Sequence, residues 1–419
     1  MPKIVSLDRL AFTDFVRQGD IIAWPQGPGE PLALTETLVA QRSELPRPEL
    51  LFGLTTSDTL QPEYGKHFRF KALNGAGNSR RVTALADIVP SHVSSFPSLL
   101  RSGVLKVDVA LIQVRPLSSG LYTLGVIADF TGAMIRAARV VIALVNPSLP
   151  ATQGDACVSA QDIDVLVESD DRVIEMPDPV PSSSELQVAR HVAALIPHRA
   201  TVQLGVGTLP AAVARALSNH RELGVHSGVV SDVLVDLVES GIVTNAHKGR
   251  DAGKTVTGGL FGTKRLRQFA QLTGSIDMRS VEYTHHIGVT ASLSQFHTIN
   301  SVIEIDITGQ ANAEIAGGRY LGAVGGQVDF VRAGVASTGG RSILAFPSTT
   351  PDGKHSRIVA SLGGRPVTTA RSDVDVVVTE FGAAHLRGCG LRERARQLIE
   401  IAHPDFQEAL KRSIAAAVT

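Results

Sequence analysis

The chain has 419 residues, 43% of them hydrophobic and 19% charged, a composition that excludes a disordered protein and leaves room for more than one core. Its 40 Lys and Arg balance its 40 Asp and Glu, so charge gives no ground for binding nucleic acid or an anionic membrane. No apolar run reaches the ~18 residues of a spanning helix. The opening MPKIVSLDRLAFTDFV lacks a signal-peptide core, and Cys157 and Cys389 form no disulfide framework. A cytoplasmic protein without nucleic-acid or membrane partners is expected.

Taken in order, residues 21–24 read as a strand running into the turn Gln26-Gly27-Pro28-Gly29-Glu30-Pro31 and a helix carrying Leu32, Leu34 and Leu38. Strand, glycine turn and helix can present backbone N–H groups to an anion; they are also the ordinary corner of an α/β unit. Strands follow at 49–56 and 68–73, with a short helix at 95–101. Residues 108–114 (DVALIQV) form an apolar run suited to a parallel strand covered on both faces. The pattern continues through 120–128, 140–145 and a strand near Val165. Pro177, Pro179, Pro181 and three serines then make a connector. It divides the chain into domains at 1–180 and 185–419.

The second half restarts the alternation. A helix at 186–195 precedes a strand at 201–205, the turn Gly205-Val206-Gly207-Thr208-Leu209-Pro210 and a helix from Pro210. That turn fails the dinucleotide fingerprint, because Pro210 stands at the third glycine, and it lacks the Lys of a P-loop. A strand at 224–230, helices at 233–240 and 264–271, and strands at 342–346, 358–361 and 375–378 follow. The chain closes on a helix at 391–402, a break at Pro404 and a last helix from Phe406. Residues 108–114 and 373–378 are both acid-led and β-branched, a hint of two related halves.

Between them lies TINSVIEIDITGQANAEIAGGRYLGAVGGQVDF, residues 298–330. Ile303, Ile305 and Ile307 alternate with Glu304 and Asp306, which places both acids on one strand face. A buried carboxylate costs desolvation energy unless paired or used. The glycines nearby expose backbone donors, so an acyl-transfer site is one reading. Two strand-end carboxylates on a solvent face are the other. His285 and His286 are adjacent and would point to opposite faces of a strand, unable to chelate one ion. No HxxxH or HExxH spacing suggests zinc, and no G-x-S-x-G elbow suggests a serine hydrolase. His226 and His297 fall at strand ends, where each lines a pocket or is a hydrogen-bonded loop histidine.

Several long motifs resemble the acetyl-CoA hydrolase/transferase family, especially its 4-hydroxybutyrate and butyrate:acetate CoA-transferase branch. They are INSVIEIDITGQANAE, VGGQVDFVR, FPSTTPDGKHSRIV, TEFGAAHLRG and LRERARQLIEIAHPDF. DVALIQV, GVGTLP and VNPSLP agree more loosely. The resemblance implies two related open α/β domains of the CoA-transferase fold with the active site between them, in a homodimer or higher homo-oligomer. It implies a CoA-transferase acting on acyl-CoA and small carboxylates, with coenzyme A as substrate and no resident cofactor or metal. The family's nucleophile maps onto Glu304, and its glycine loop onto Gly325, Gly326 and Gln327, with Gly326 as an oxyanion donor. Gly205, Gly207, His226, Gly228 and His297 are further candidates for binding substrate or CoA, and Asp306 for structural support.

The same resemblance implies a glutamyl-CoA thioester, with acetyl-CoA hydrolysis by the same glutamate as the alternative activity. Departures bear on substrate. Family members carry an acid near the position of Gly228 and an N-D-P turn near His285-His286. Losing an acid and gaining imidazoles would favour a second carboxylate on the substrate, as in succinate or itaconate.

Overall fold

The computed structural model describes residues 2–118, 120–168 and 172–417, with side chains through residue 414. Two compact units form. Met1–Pro177, Val256–Thr284 and Arg319–Gly325 make the first, and Asp178–Thr255, His285–Gly318 and Gly326–Thr419 the second. The sequence suggests one cut between residues 180 and 185; the chain crosses at Pro177/Asp178 and then returns to the first unit twice. Backbone bonds tie the returning segments there, Ala128 N–H to Gly258 O at 2.8 Å and Gly75 N–H to Gly322 O at 2.8 Å.

The first unit is built on β1 (Lys3–Ser6), β2 (Ile21–Ala23), β3 (Glu49–Phe52), β4 (Arg69–Ala72), β5 (Ala86–Ile88), β6 (Val109–Ser118), β7 (Val140–Val145) and β8 (Val165–Glu168). They lie in the order β1-β8-β7-β6-β2-β3-β4-β5, each neighbouring pair parallel. Strands buried on both faces need no alternation, which is why Val109–Val114 read as one apolar run. Ile22, Leu50, Phe52, Leu111, Ile142 and Leu144 share the core beneath α1 (Leu32–Ala40).

The Gln26–Glu30 turn keeps its donors for itself. Gly27 N–H bonds Leu54 O at 2.7 Å, and Gly29 N–H bonds Gln26 O at 3.0 Å. Glu30 is 1% exposed. Hydroxyls of Thr35, Thr55, Ser57 and Thr59 donate to it at 3.0, 2.5, 2.8 and 2.9 Å. Burial holds its carboxyl above the usual range, and those hydroxyl bonds oppose the shift. The turn is a structural corner.

In the second unit the helix α2 (Ser183–Ala194) opens on a capping box between Ser182 and Glu185. Then come β9 (Thr201–Leu204), α3 (Thr208–Ala216), β10 (Gly224–Ser227), β11 (Phe296–Asn300), β12 (Glu304–Asp306), β13 (Ala311–Asn312) and α4 (Gln327–Ala336). The unit ends with β14 (Arg341–Ala345), β15 (Ile358–Val359), β16 (Val376–Thr379), β17 (Gly382–His385), α5 (Leu391–Glu400) and α6 (Pro404–Ala417). Pro404 begins α6 and does not break it, since a first-turn proline lacks only an N–H the helix leaves unbonded.

The main sheet here includes the order β10-β9-β11-β14-β16-β17, parallel except for β16 with β17. A small sheet, β13-β12-β15, stands beyond it. Because β10 lies on one side of β9 and β11 on the other, the strand order reverses between β9 and β11. Open α/β sheets bind ligands outside the carboxyl ends of the strands at such a point. The acid-led strands of the two units behave alike. Asp108 accepts the Ile21 N–H at 2.9 Å across β6 and β2, and Asp375 accepts the Ser342 N–H at 3.2 Å across β16 and β14.

Candidate active site

The carboxyl ends of β9, β10 and β11 bring three predicted segments together. β9 ends in the Gly205–Gly207 turn, whose Gly207 caps α3. β10 ends in Ser227-Gly228, with the Ser227 hydroxyl donating to Leu204 O at 2.6 Å. β11 ends at Asn300, whose amide reaches Gln203 Oε1 at 3.3 Å. Four residues later the chain enters β12 at Glu304.

β12 pairs antiparallel with β13, setting Glu304 opposite Asn312, and parallel with β15. Ile305 and Ile307 turn into an apolar cluster with Leu344, Phe346 and Leu398. The acids take the other face, yet Glu304 is only 8% exposed and Asp306 2%. The solvent-face reading is thereby excluded. Both carboxylates are compensated, as burial requires. Asn312 Nδ2 donates to Glu304 Oε1 at 2.8 Å, and Arg365 Nη1 pairs with Oε2 at 2.9 Å. Asn312 is itself fixed, donating to Ile315 O at 2.7 Å and accepting the Glu314 N–H at 2.9 Å.

Glu304 opens on a cavity of about 460 Å³. Among the described residues it is the only carboxylate lining it, against Lys354, His355, Arg357 and Arg365. Ile303, Ile315, Phe406 and Leu410 supply apolar wall. Arg357 holds the approach to β12, donating to Ile303 O at 2.7 Å and also to Val302 O, with its guanidinium over the Phe346 ring. Desolvation pulls it down to about 10, opposed first by Glu380 and last by Glu304, so it stays charged at neutral pH. A buried anion facing a cationic cavity suits a group that meets anionic substrates and gives up its own charge.

Asp306 supports the hairpin. It accepts the Thr308 and Gln310 N–H groups at 2.9 and 3.1 Å and the Gln310 side chain at 2.8 Å. Gln327 Nε2 donates to Thr369 Oγ1 at 2.8 Å, and Thr369 exchanges backbone bonds with Ala311 at 3.0 and 3.1 Å. The start of α4 is therefore tied to the hairpin that carries Glu304. Gly326 is the cap of α4. Gly325, at φ +56, is the last residue of a first-unit segment. That left-handed turn suits glycine.

The histidines divide. Gly228 and His285 meet: a Cβ on Gly228 would lie 2.8 Å from His285 Cε1. Only glycine leaves the ring its place, tilted 45° to Phe330 with centroids 4.4 Å apart. Burial pushes His285 down to about 3. His285 and His286 also stand in a turn between short helices, not on a strand, and His286 caps the second through the Gly288 N–H at 3.1 Å. His226 is fully buried with its ring edge-on to Phe296. His297 lies near the start of β11, bonded through Nδ1 to Gln295 O at 2.8 Å, at the end of the strand away from Glu304. Neither His226 nor His297 lines the Glu304 cavity, and burial lowers His297. Gly205 lines a small apolar cavity of about 30 Å³ at the end of β9, and Gly207 is exposed.

Asn312, Arg357 and Arg365 escaped the sequence reading. Asn312 was findable, since Thr308-Gly309 is a turn signal that folds the following residues back beside Glu304. Arg365, in the loop Ser361–Pro366, carries no local pattern.

Two family models match, the acetyl-CoA hydrolase/transferase N-terminal domain over residues 3–177 and the C-terminal domain over 262–414. The 4-hydroxybutyrate coenzyme A transferase of Clostridium kluyveri is 39% identical over 392 residues, 91% of this chain and 90% of that one. The succinyl-CoA:cyclohexane-1-carboxylate CoA transferase of Geobacter metallireducens is 35% identical, covering 94% of this chain and 91% of its own. The crystal structure of RipA from Yersinia pestis superposes with a TM-score of 0.92 at 31% identity, over 99% of this chain and 97% of that one.

Proposed function

We propose that this chain, which belongs to the acetyl-CoA hydrolase/transferase family and is a CoA-transferase, moves CoA between small carboxylic acids through a covalent thioester on Glu304. The observation that carries the reading is a buried carboxylate, held by Asn312 and Arg365, on a cavity whose lining includes Lys354, Arg357 and Arg365 and apolar side chains.

Glu304 attacks the acyl-CoA carbonyl, forming a mixed anhydride and releasing CoA thiolate. The thiolate attacks the glutamyl carbonyl of that anhydride, breaking its bond to the bridging oxygen. The glutamyl-CoA thioester remains and the first carboxylate leaves. An acceptor carboxylate reverses both steps and departs as its own CoA thioester. Splitting the exchange in this way preserves the thioester's free energy and gives ping-pong kinetics. Each addition creates an oxyanion, and the backbone N–H groups around Gly326, where α4 begins with unbonded donors, are assigned to it. The apolar wall from Ile315, Phe406 and Leu410 suits the alkyl part of a small acid.

Borohydride added after acyl-CoA tests the assignment. Inactivation, with Glu304 found as its alcohol by peptide mass, is expected; full activity after treatment would overturn it. A free-thiol assay without acceptor acid separates exchange from hydrolysis, and steady CoA release there would favour the hydrolase.

A further inference from the structure

We propose that the first unit carries a second binding site, for a compact phosphate-bearing ligand, on the polar face of the helix Lys264–Thr273. The site shares no lining residue with the Glu304 cavity and is independent of the chemistry there. The Thr263 hydroxyl caps this helix by accepting the Arg265 N–H at 3.2 Å. Leu266, Phe269 and Ala270 are its buried side. Lys264, Arg267, Gln268 and Gln271, at i, i+3, i+4 and i+7, share the opposite face. Ser148, which follows β7, and Arg172 and Glu175, which follow β8, close over that face around a cavity of about 370 Å³.

The lining is cationic in composition and in wiring. Arg172, Lys264 and Arg267 stand against Glu175, the only acid among the described lining residues. Glu175 Oε1 is already engaged, accepting the Lys264 N–H at 2.9 Å and pairing with Arg267 Nη2 at 2.9 Å. The Arg267 side chain is 11% exposed and that of Glu175 47%, so the guanidinium is the buried member of the pair. Its Nη1 is buried and has no hydrogen-bond acceptor among the described residues. A buried donor left over in this way calls for an ion or a water to meet it. Gln271 is set as a donor as well. Arg115 Nη1 reaches Gln271 Oε1 at 3.1 Å and Leu149 O at 2.7 Å, which leaves the Gln271 amide N–H groups to donate elsewhere.

These donors come from separate segments, so they surround an acceptor and do not meet it along one edge. A phosphate group carries about two negative charges at neutral pH and three acceptor oxygens. A carboxylate offers one charge and two oxygens in a plane. The described lining contains no aromatic ring on which a nucleotide base would stack. The ligand that fits is a small phosphate ester or a diphosphate, distinct from acyl-CoA.

Binding has a structural consequence. Val256–Thr284 is a segment that returns to the first unit, and the Glu175–Arg267 pair and the Met176 N–H to Gly262 O bond at 3.1 Å help to tie it there. An anion held between Arg172 and the helix adds a tie across the same seam. A ligand bound only by the folded chain stabilises it by mass action.

Calorimetric titration of the full chain with inorganic pyrophosphate, at fixed ionic strength, tests the proposal. One saturable site per chain is expected, together with a thermal midpoint that rises with pyrophosphate. Arg267→Gln should raise the Kd about 10-fold or more. Lys264→Gln, at an exposed position, should raise it about 3-fold and decides the matter if Arg267→Gln does not fold. Exchange activity and the KM for acyl-CoA should stay at wild type in Lys264→Gln. Titration without saturation, or a Kd that Lys264→Gln leaves unchanged, would overturn the site. Equal affinity for tricarballylate, a compact polycarboxylate, would overturn the phosphate assignment. A raised KM for acyl-CoA in Lys264→Gln would hand these residues to the acyl-CoA site and overturn the separate ligand.

Discussion

Glu30 in the first unit and Glu304 in the second are both buried, and they are built to opposite ends. Glu30, 1% exposed, sits among four hydroxyls. Hydroxyls serve either protonation state, because each can donate or turn and accept. Glu304, 8% exposed, accepts from the Asn312 amide N–H and pairs with the Arg365 guanidinium, and beside it lies a cavity of about 460 Å³. Burial therefore does not mark a reactive carboxylate. Fixed donors and an open side are what the proposed mechanism asks of one.

The sharpest way to break that comparison is to neutralise each glutamate and read both activity and stability. Glu304→Gln should lower exchange by at least about 10⁴-fold, as expected when a nucleophile is lost, with little change in the urea midpoint. Steady-state assays with acyl-CoA and an acceptor acid measure it, and a variant retaining a tenth of the activity would sink the assignment. Asn312→Ala leaves the carboxylate but frees it to turn, so exchange should fall by about 10²-fold, mainly in kcat. An unchanged kcat would show that Arg365 alone orients Glu304.

Glu30 should answer in the other currency. Glu30→Ala strands hydroxyls on Thr35, Thr55, Ser57 and Thr59 and opens a void, which should cost about 2–3 kcal/mol in urea unfolding. Exchange per folded molecule should hold. Loss of exchange without loss of stability would put Glu30 in the chemistry and erase the contrast.

The sequence and the structure agree most where one short motif carries both strand and chemistry. Residues 299–314 alternate, turn at Gly309 and return, so Glu304, Asp306 and their hairpin were legible from period and turn residues. Long-range partners were not. Arg365 reaches Glu304 from 61 positions away by number, through a loop without periodicity, and nothing local marks it. The returns of 256–284 and 319–325 to the first unit were equally invisible, since compactness is decided by contacts and not by chain order. In the sequence the departures at Gly228 and His285 read as substrate contacts. In space they are one packing solution, a missing Cβ that makes room for a ring.

That packing gives the smallest of the expected effects and one whose sign can be worked out. His285 titrates at about 3 in the folded chain against an ordinary 6.5. Its folded pKa is depressed, so its contribution is complete above 6.5 and is lost as pH falls from there towards 3. In that window the unfolded chain takes up a proton that the buried ring refuses. The loss between pH 7 and pH 5 should be on the order of 2 kcal/mol. Glu30 and Asp129 act in the opposite sense, because burial raises both and their folded forms take protons first as pH falls. The total acid response therefore mixes signs, and the useful quantity is a difference. His285→Gln, which cannot titrate, should differ from the wild type most at pH 7 and converge with it or overtake it by pH 5. Parallel stability curves would mean that the ring does take a proton in the folded state, and that the space left by Gly228 admits water or an anion.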